Sequence, residues 1–214
     1  MAFFGPWITG KFLFVRTYDV TLGLLSDDYK WLDLRSFKGQ KSSAILQPEV
    51  LKLLKDHHIS VKSLSNIVSL AGPGFYTGLR LSEGFCDVFK FFKIPFYSFY
   101  SHDIPLWCGV EEGVWMTKAY RGEYFFHSWN KGILKNEMVA IANLKEKFSN
   151  INSVYIHSDS ALDDTVRSLI IDSVNTFDLL RNHPDVIFSR VFAQKIVRES
   201  FYFRPPEDEF KANP

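Results

Sequence analysis

The sequence predicts an α/β fold. Three observations carry this. The first part of the chain reads as three consecutive strands followed by a helix. A short apolar run then passes through Gly72-Pro73-Gly74 into a second helical pattern. After residue 100 another hairpin opens a further set of strands and helices. With 214 residues and 21 Phe, 9 Tyr and 5 Trp, the chain can bury a sizeable core, as one domain or as two small lobes.

In order, Lys11–Thr17, Val20–Ser26 and Tyr29–Ser36 are predicted strands, with Asp27-Asp28 supplying the second turn. Alternation is visible in Trp31, Asp33 and Arg35 against Leu32, Leu34 and Ser36. Ser42 to His58 reads as a helix capped by Ser42 or Ser43, with Pro48 kinking it or starting its regular part. Leu46, Val50, Leu53 and Leu54 form one stripe, and Leu51 falls outside it. That arc is wider than one packing face requires. The helix is either buried on most sides or has core on one side and a partner on the other.

Ile67–Leu70 is a buried strand, Gly72-Pro73-Gly74 a tight turn, Thr77 an N-cap and Gly78 the start of a closely packed helix. Leu81, Phe85, Val88, Phe89 and Phe92 recur at helical spacing as its core stripe, leaving Arg80, Gly84, Asp87 and Phe91 outside it. Ile94–Ser98 is a short strand and Ile104–Cys108 a helical turn. Gly113–Ala119 and Glu123–Trp129 form a hairpin turning at Tyr120-Arg121-Gly122, and Lys135 is placed on an exposed turn. Val139–Phe148 reads as a helix, Val154–His157 and Leu169–Ile171 as strands, and Thr176–His183 and Val186–Ser200 as helices separated by Pro184. The residues beyond Asp208 are read as a tail.

Much chemistry is excluded. A glycine-rich turn before a helix either cradles a phosphate or lets helix and sheet approach closely. Here no Gly-Lys-Ser/Thr follows and GxGxxG spacing is absent, so the packing reading is favoured. None of His57, His58, His102, His127, His157 and His183 makes HxxxH or HExxH, and there is no Gly-x-Ser-x-Gly elbow. Asp159, Asp163 and Asp164 read as surface acids. Cys86 and Cys108 lack metal spacing and suit a reduced, cytoplasmic chain. Neither a signal peptide nor a membrane span is read in Met1–Val15. A net charge of +1 gives nucleic acid no bulk attraction.

The stretch Gly72 to Arg80, GPGFYTGLR, resembles the GPGSFTGLR signature of the bacterial TsaB (YeaZ) family, with Phe75-Tyr76 in place of Ser-Phe. Arg121-Gly122-Glu123 with Tyr124, and Tyr202 to Arg204, resemble two further family elements less specifically. The resemblance implies an actin-like, sugar-kinase-like (ribonuclease H-like) two-lobed fold with mixed sheets, with an N-terminal lobe over 1–100 and a smaller C-terminal lobe over 101–214. The strand–strand–strand–helix–strand–helix order suits such a lobe. It also implies a non-catalytic subunit, a pseudoenzyme that binds and activates a TsaD-like enzyme in forming N6-threonylcarbamoyladenosine at position 37 of tRNA.

In that family the first two helices form the partner surface, which maps here onto Leu46, Val50, Leu51, Arg80, Gly84, Asp87 and Phe91. Gly72, Pro73, Gly74, Thr77 and Gly78 are then the structural motif. The implied partners are a TsaD-like protein as heterodimer, a TsaE-like ATPase as a further candidate, and a second copy when alone. Transfer RNA is contacted only indirectly, and no membrane, metal or cofactor is called for. Two departures bear on chemistry. Arg16-Thr17-Tyr18 stands where the family opens Asp-Thr-Ser, and Lys118 replaces a further aspartate. An arginine cannot ligate Mg²⁺; two bases in place of two acids disfavour a metal and leave an anion open. The alternatives are a stand-alone actin-like ATPase or kinase, against which Arg16 argues, and a tRNA-binding module, for which no basic, aromatic-interleaved stripe is evident.

Overall fold

The three-strand meander is the start of a five-stranded mixed sheet. The computed structural model describes residues 11–17, 20–120, 122–148, 153–156, 163–169 and 173–203. In it β1 (Phe12–Arg16), β2 (Thr21–Leu25) and β3 (Trp31–Ser36) pair antiparallel in turn. β4 (Asn66–Leu70) lies parallel to β1 and β5 (Phe96–Phe99) parallel to β4, giving the order β3-β2-β1-β4-β5. Parallel neighbours need crossovers, and α1 (Ser42–Asp56) and α2 (Tyr76–Phe91) supply them. β1 is buried along its whole length, as expected of a strand covered on both faces.

One face of this sheet presents Leu13, Val15, Leu22, Leu24 and Ile67 to Leu46, Val50, Leu53 and Leu54 of α1 and to Cys86 and Phe89 of α2. The other face is aromatic. Phe14 stands edge-on to Trp31 and to Phe188 of α7 (Pro184–Ala193), each at 5.8 Å, and Phe12 lies 4.6 Å from Phe192. Residues 188–200, read from sequence as part of the C-terminal lobe, therefore group with the first unit, which comprises the chain up to Gly72, Tyr76–Phe99 and Phe188–Ser200.

The second unit comprises Pro73–Phe75, Tyr100–Ile187 and the chain from Phe201. Here β6 (Glu112–Lys118), β7 (Glu123–Asn130) and β8 (Ile133–Ala140) form a meander. β9 (Val154–Ile156) lies parallel to β6 and β10 (Ser173–Asn175) parallel to β9, giving the order β10-β9-β6-β7-β8. This is the connectivity of the first sheet over again. The repeat lies in topology and not in residues, which is why no internal repeat is visible in the sequence. Two such sheets, each a meander extended by two parallel strands, make an actin-like α/β fold. The short helices are α3 (Asp103–Trp107), α4 (Leu144–Phe148), α5 (Asp164–Leu169) and α6 (Thr176–Asn182).

Several elements differ from their sequence reading. The stretch from Val139 is not one helix: β8 runs to Ala140, a 3-10 turn covers Ile141–Asn143, and only Leu144–Phe148 is α-helical. β8 was hidden because its apolar residues do not alternate, and Lys135 sits in it, not on a turn. Leu169 ends α5 instead of starting a strand, and residues 170 and 171 lie outside the described set, as do Arg121, His157, Asp159 and Arg204. Pro184 opens α7 at its first position, where the missing N–H costs nothing. α7 stops at Ala193, after which the chain pairs with β5: Ser98 N–H donates to Ile196 O at 3.1 Å and Arg198 N–H to Ser98 O at 3.1 Å.

Candidate functional site

Thr17, just past β1, ties the starts of both long helices to the first sheet. Its hydroxyl donates to Gly78 O at 2.8 Å, and Ser42 Oγ donates to Thr17 O at 2.7 Å. Ser42 is thereby engaged away from the helix end, and the N-cap of α1 is Lys41, without a side-chain cap. Thr77 likewise does not cap α2, because the helix already begins at Tyr76. A Cβ on Gly78 would meet Thr17 Oγ1 at 3.6 Å, an ordinary contact. Of the three motif glycines, Gly72 has the special backbone, at φ +110°. Gly74 N–H donates to Phe201 O at 3.1 Å, and Gly74 bridges to Tyr202. That amide is spent within the protein and is not offered to a phosphate.

α2 buries Leu79, Ser82, Cys86 and Phe89. Val88 and Phe92, expected in the core, are 54% and 47% exposed, while Leu81 and Phe85 flank the core. Placing Val88 and Phe92 in the stripe turned it toward solvent, and the small residues Ser82 and Cys86 carried no strong apolar signal. Ser69 and Ser82 satisfy each other beneath the helix, and burial pushes the Cys86 thiol up to about 12. The opposite stripe runs Thr77, Arg80, Gly84, Asp87, Val88 and Phe91, with Phe91 84% exposed. A Cβ at Gly84 would meet nothing within 4 Å. Arg80 pairs with Glu83 and Lys90 with Asp87, at 2.9 and 2.8 Å, so these surface charges are matched within the helix.

On α1, Leu51 is half-exposed, whereas Leu46 and Val50 are each 2% exposed. These two, mapped onto the partner surface, are core residues: they face the sheet, and no partner can reach them. Arg80, Gly84, Asp87 and Phe91 do share one exposed face. Beside α2 a groove of about 360 Å³ is lined by polar and charged side chains such as Arg80, Asp87 and Arg198 and by apolar ones such as Leu70, Phe96 and Val197.

In the second unit Lys118 is not a waiting cation. Its Nζ donates to Asp163 Oδ1 at 2.7 Å, and Tyr124 donates its hydroxyl to Asp163 Oδ2 at 2.9 Å. Lys118 and then Tyr124 hold the Asp163 carboxyl below its usual range, and burial first raises Tyr124 to about 12. Among the described residues no group of three His, Cys, Asp or Glu could hold a metal. None of their helices is long and apolar enough to cross a membrane. Arg16 is 5% exposed at the end of β1.

Sequence reasoning missed a buried histidine pair. His102 and His127 stack at 4.0 Å, and both are nearly inaccessible. His127 Nδ1 donates to Asn136 Oδ1 at 2.6 Å, while its Nε2 finds no hydrogen-bond partner among the described residues. Burial lowers its pKa from 6.5, against smaller opposing contributions from Asn136 and the Asp103 charge. The neutral ring therefore belongs to the folded state. Its contribution is complete above about pH 6.5 and is lost as pH falls below that value toward the depressed folded pKa, by at most about 1.4 kcal/mol per pH unit. Melting temperature should fall between pH 7 and pH 5, and His127→Phe should flatten that slope. An unchanged slope would place the acid sensitivity elsewhere.

No family model matches the sequence, and no curated protein does. Solved structures do. An uncharacterized protein with similarity to peptidase YEAZ from Pseudomonas aeruginosa matches with a TM-score of 0.60 at 15% identity, over 89% of this chain and 95% of that one. YeaZ from Pseudomonas aeruginosa matches with a TM-score of 0.58 at 15% identity, over 89% and 97%. The likeness is one of fold, and it spans nearly the whole of both chains.

Proposed function

We propose that this chain is a TsaB-like, non-catalytic subunit that binds and activates a TsaD-like enzyme in forming N6-threonylcarbamoyladenosine at position 37 of tRNA. The observation that carries the reading is a coincidence of two kinds of likeness. The fold resembles YeaZ over 89% of this chain and 97% of that one, and GPGFYTGLR, the stretch most similar to that family's signature, is the turn that opens α2. The buried Arg16 at the end of β1 and the Lys118–Asp163 pair suit a protein without a catalytic metal of its own. On this reading it acts in the cytoplasm, as a heterodimer with the enzyme and as a homodimer alone, with a TsaE-like ATPase as a further partner. Transfer RNA is reached through the enzyme.

The test is loss of the chain from its source cells. Threonylcarbamoyladenosine in bulk tRNA should fall several-fold and recover on re-expression, and the purified chain should hydrolyse ATP no faster than buffer. Unchanged modification in the deletion strain would end this reading. Mg²⁺-dependent turnover abolished by an Arg16 substitution would favour a stand-alone ATPase.

A further inference from the structure

The free edge of the second sheet is complementary to itself. β8 closes that sheet, and among the described residues it pairs only with β7. It is eight residues long, and only Val139 is buried. The neighbouring hydrogen bond fixes which groups point outward. Ile141 N–H donates to Gly122 O at 2.8 Å, and in an antiparallel ladder alternate residues turn both backbone groups the same way. Ile133, Lys135, Glu137 and Val139 therefore bond to β7, and Leu134, Asn136 and Met138 turn N–H and C=O outward. An exposed row of unpaired backbone groups is a template for a further strand.

We infer that a second copy of this chain docks its own β8 on this edge, antiparallel, about a two-fold axis at Asn136. The two sheets become one of ten strands. The register follows from charge. Only registers that oppose outward-turned residues form hydrogen bonds. An axis at Lys135 sets lysine against lysine, an axis at Glu137 sets glutamate against glutamate, and axes at Leu134 or Met138 leave much of the strand unpaired. An axis at Asn136 sets Lys135 opposite the partner's Glu137 and Glu137 opposite the partner's Lys135. It also sets Leu134 opposite the partner's Met138 and Ile133 opposite the partner's Val139. Opposite charges and apolar pairs across strands are each favourable, and like charges directly opposed are not.

Exposure fits this occupant. Ile133, Leu134 and Met138 are 76%, 58% and 38% exposed, an unusual apolar load for a solvated edge. Lys135 already touches Glu137 within the strand at 3.0 Å, and Lys147 of α4 bridges the other carboxylate oxygen of Glu137. Charges on an edge normally repel foreign strands. Two opposite charges balanced about one residue deter most strands while accepting their own reverse. The two-fold is isologous, so one substitution alters two contacts.

This inference does not rest on the functional reading, and its test is run where the two separate. In the Gly84→Arg background, which disables the helix face, the full chain should still sediment as a dimer at micromolar concentration. Adding Lys135→Glu sets four glutamates in two opposed pairs, and dimer dissociation should strengthen by roughly tenfold or more. Adding Glu137→Lys to that variant restores opposite charges in swapped order and should recover the dimer. A Gly84→Arg chain that is monomeric, or a dimer indifferent to Lys135→Glu, overturns the inference. Circular dichroism of each variant separates loss of association from loss of fold, and a folded charge-swap variant that stays monomeric would also overturn it.

Discussion

Gly23→Ala should lower the stability of the fold by about 2–3 kcal/mol, while Gly84→Ala should raise it by about 0.5–1 kcal/mol. The same added methyl gives opposite signs because of what it meets. A Cβ on Gly23 would lie 2.2 Å from Trp31 Cζ3 and 2.9 Å from Cε3, the flat of an indole ring. That ring cannot retreat. It stands edge-on to Phe188 at 5.5 Å and to Phe14 at 5.8 Å, and both of those side chains are fully buried. Overlap must then be relieved by moving β3 or the aromatic layer, and interiors packed at crystal-like density give way poorly. A Cβ on Gly84 meets nothing, and alanine restricts the unfolded chain. Urea unfolding midpoints of the two variants check the signs. Trp31→Leu should partly rescue Gly23→Ala, since the clash is with the ring alone; strictly additive losses would show that Gly23 is intolerant for another reason.

That contact also marks the limit of what the sequence made legible. The meander, the buried strand after it and the glycine turn were readable because local rules govern them: alternation, short polar turns, and apolar runs flanked by glycine. Trp31 was readable as part of an alternating strand, but a register shift between Leu24 and Leu25 sets which residue of β2 it accompanies. No local rule gives the partner of a bulged strand. Phe188 and Phe192 were assigned to the wrong lobe for a related reason: the return of α7 to the first sheet is a long-range event.

The candidate site divided along the same line. Arg80, Gly84, Asp87 and Phe91 share an exposed face, as read, because helical spacing separates two faces of α2. Leu46 and Val50 were misplaced because a family's interface was mapped by element, and an element has an inside. β8 went unseen because edge strands with one buried residue carry neither helical nor alternating pattern.

Gly84→Arg should leave the fold intact and abolish capture of a TsaD-like enzyme. The position allows such a clean test. It lies mid-helix on the exposed face of α2, flanked by Arg80, Asp87, Val88 and Phe91, and opposite the buried Leu79, Ser82, Cys86 and Phe89. An arginine there points into solvent, so melting should match wild type within about 0.5 kcal/mol or rise slightly. If a partner helix docks on this stripe, its backbone comes closest where the residue is smallest, and Phe91 is the apolar anchor beside the gap. A long cation then both separates the backbones and must be desolvated. The loss should be at least about 2 kcal/mol, roughly thirty-fold or more in affinity. Phe91→Ala should weaken binding by a similar mechanism from the opposite side, by removing contact instead of adding bulk. Lys62→Ala, on an exposed turn before β4, should change nothing. The measurement is equilibrium binding to the purified enzyme, paired with threonylcarbamoyladenosine content in cells carrying each variant. Full binding by Gly84→Arg would move the interface off this face. Lost binding with unchanged modification would instead separate complex formation from the activity that it is proposed to serve.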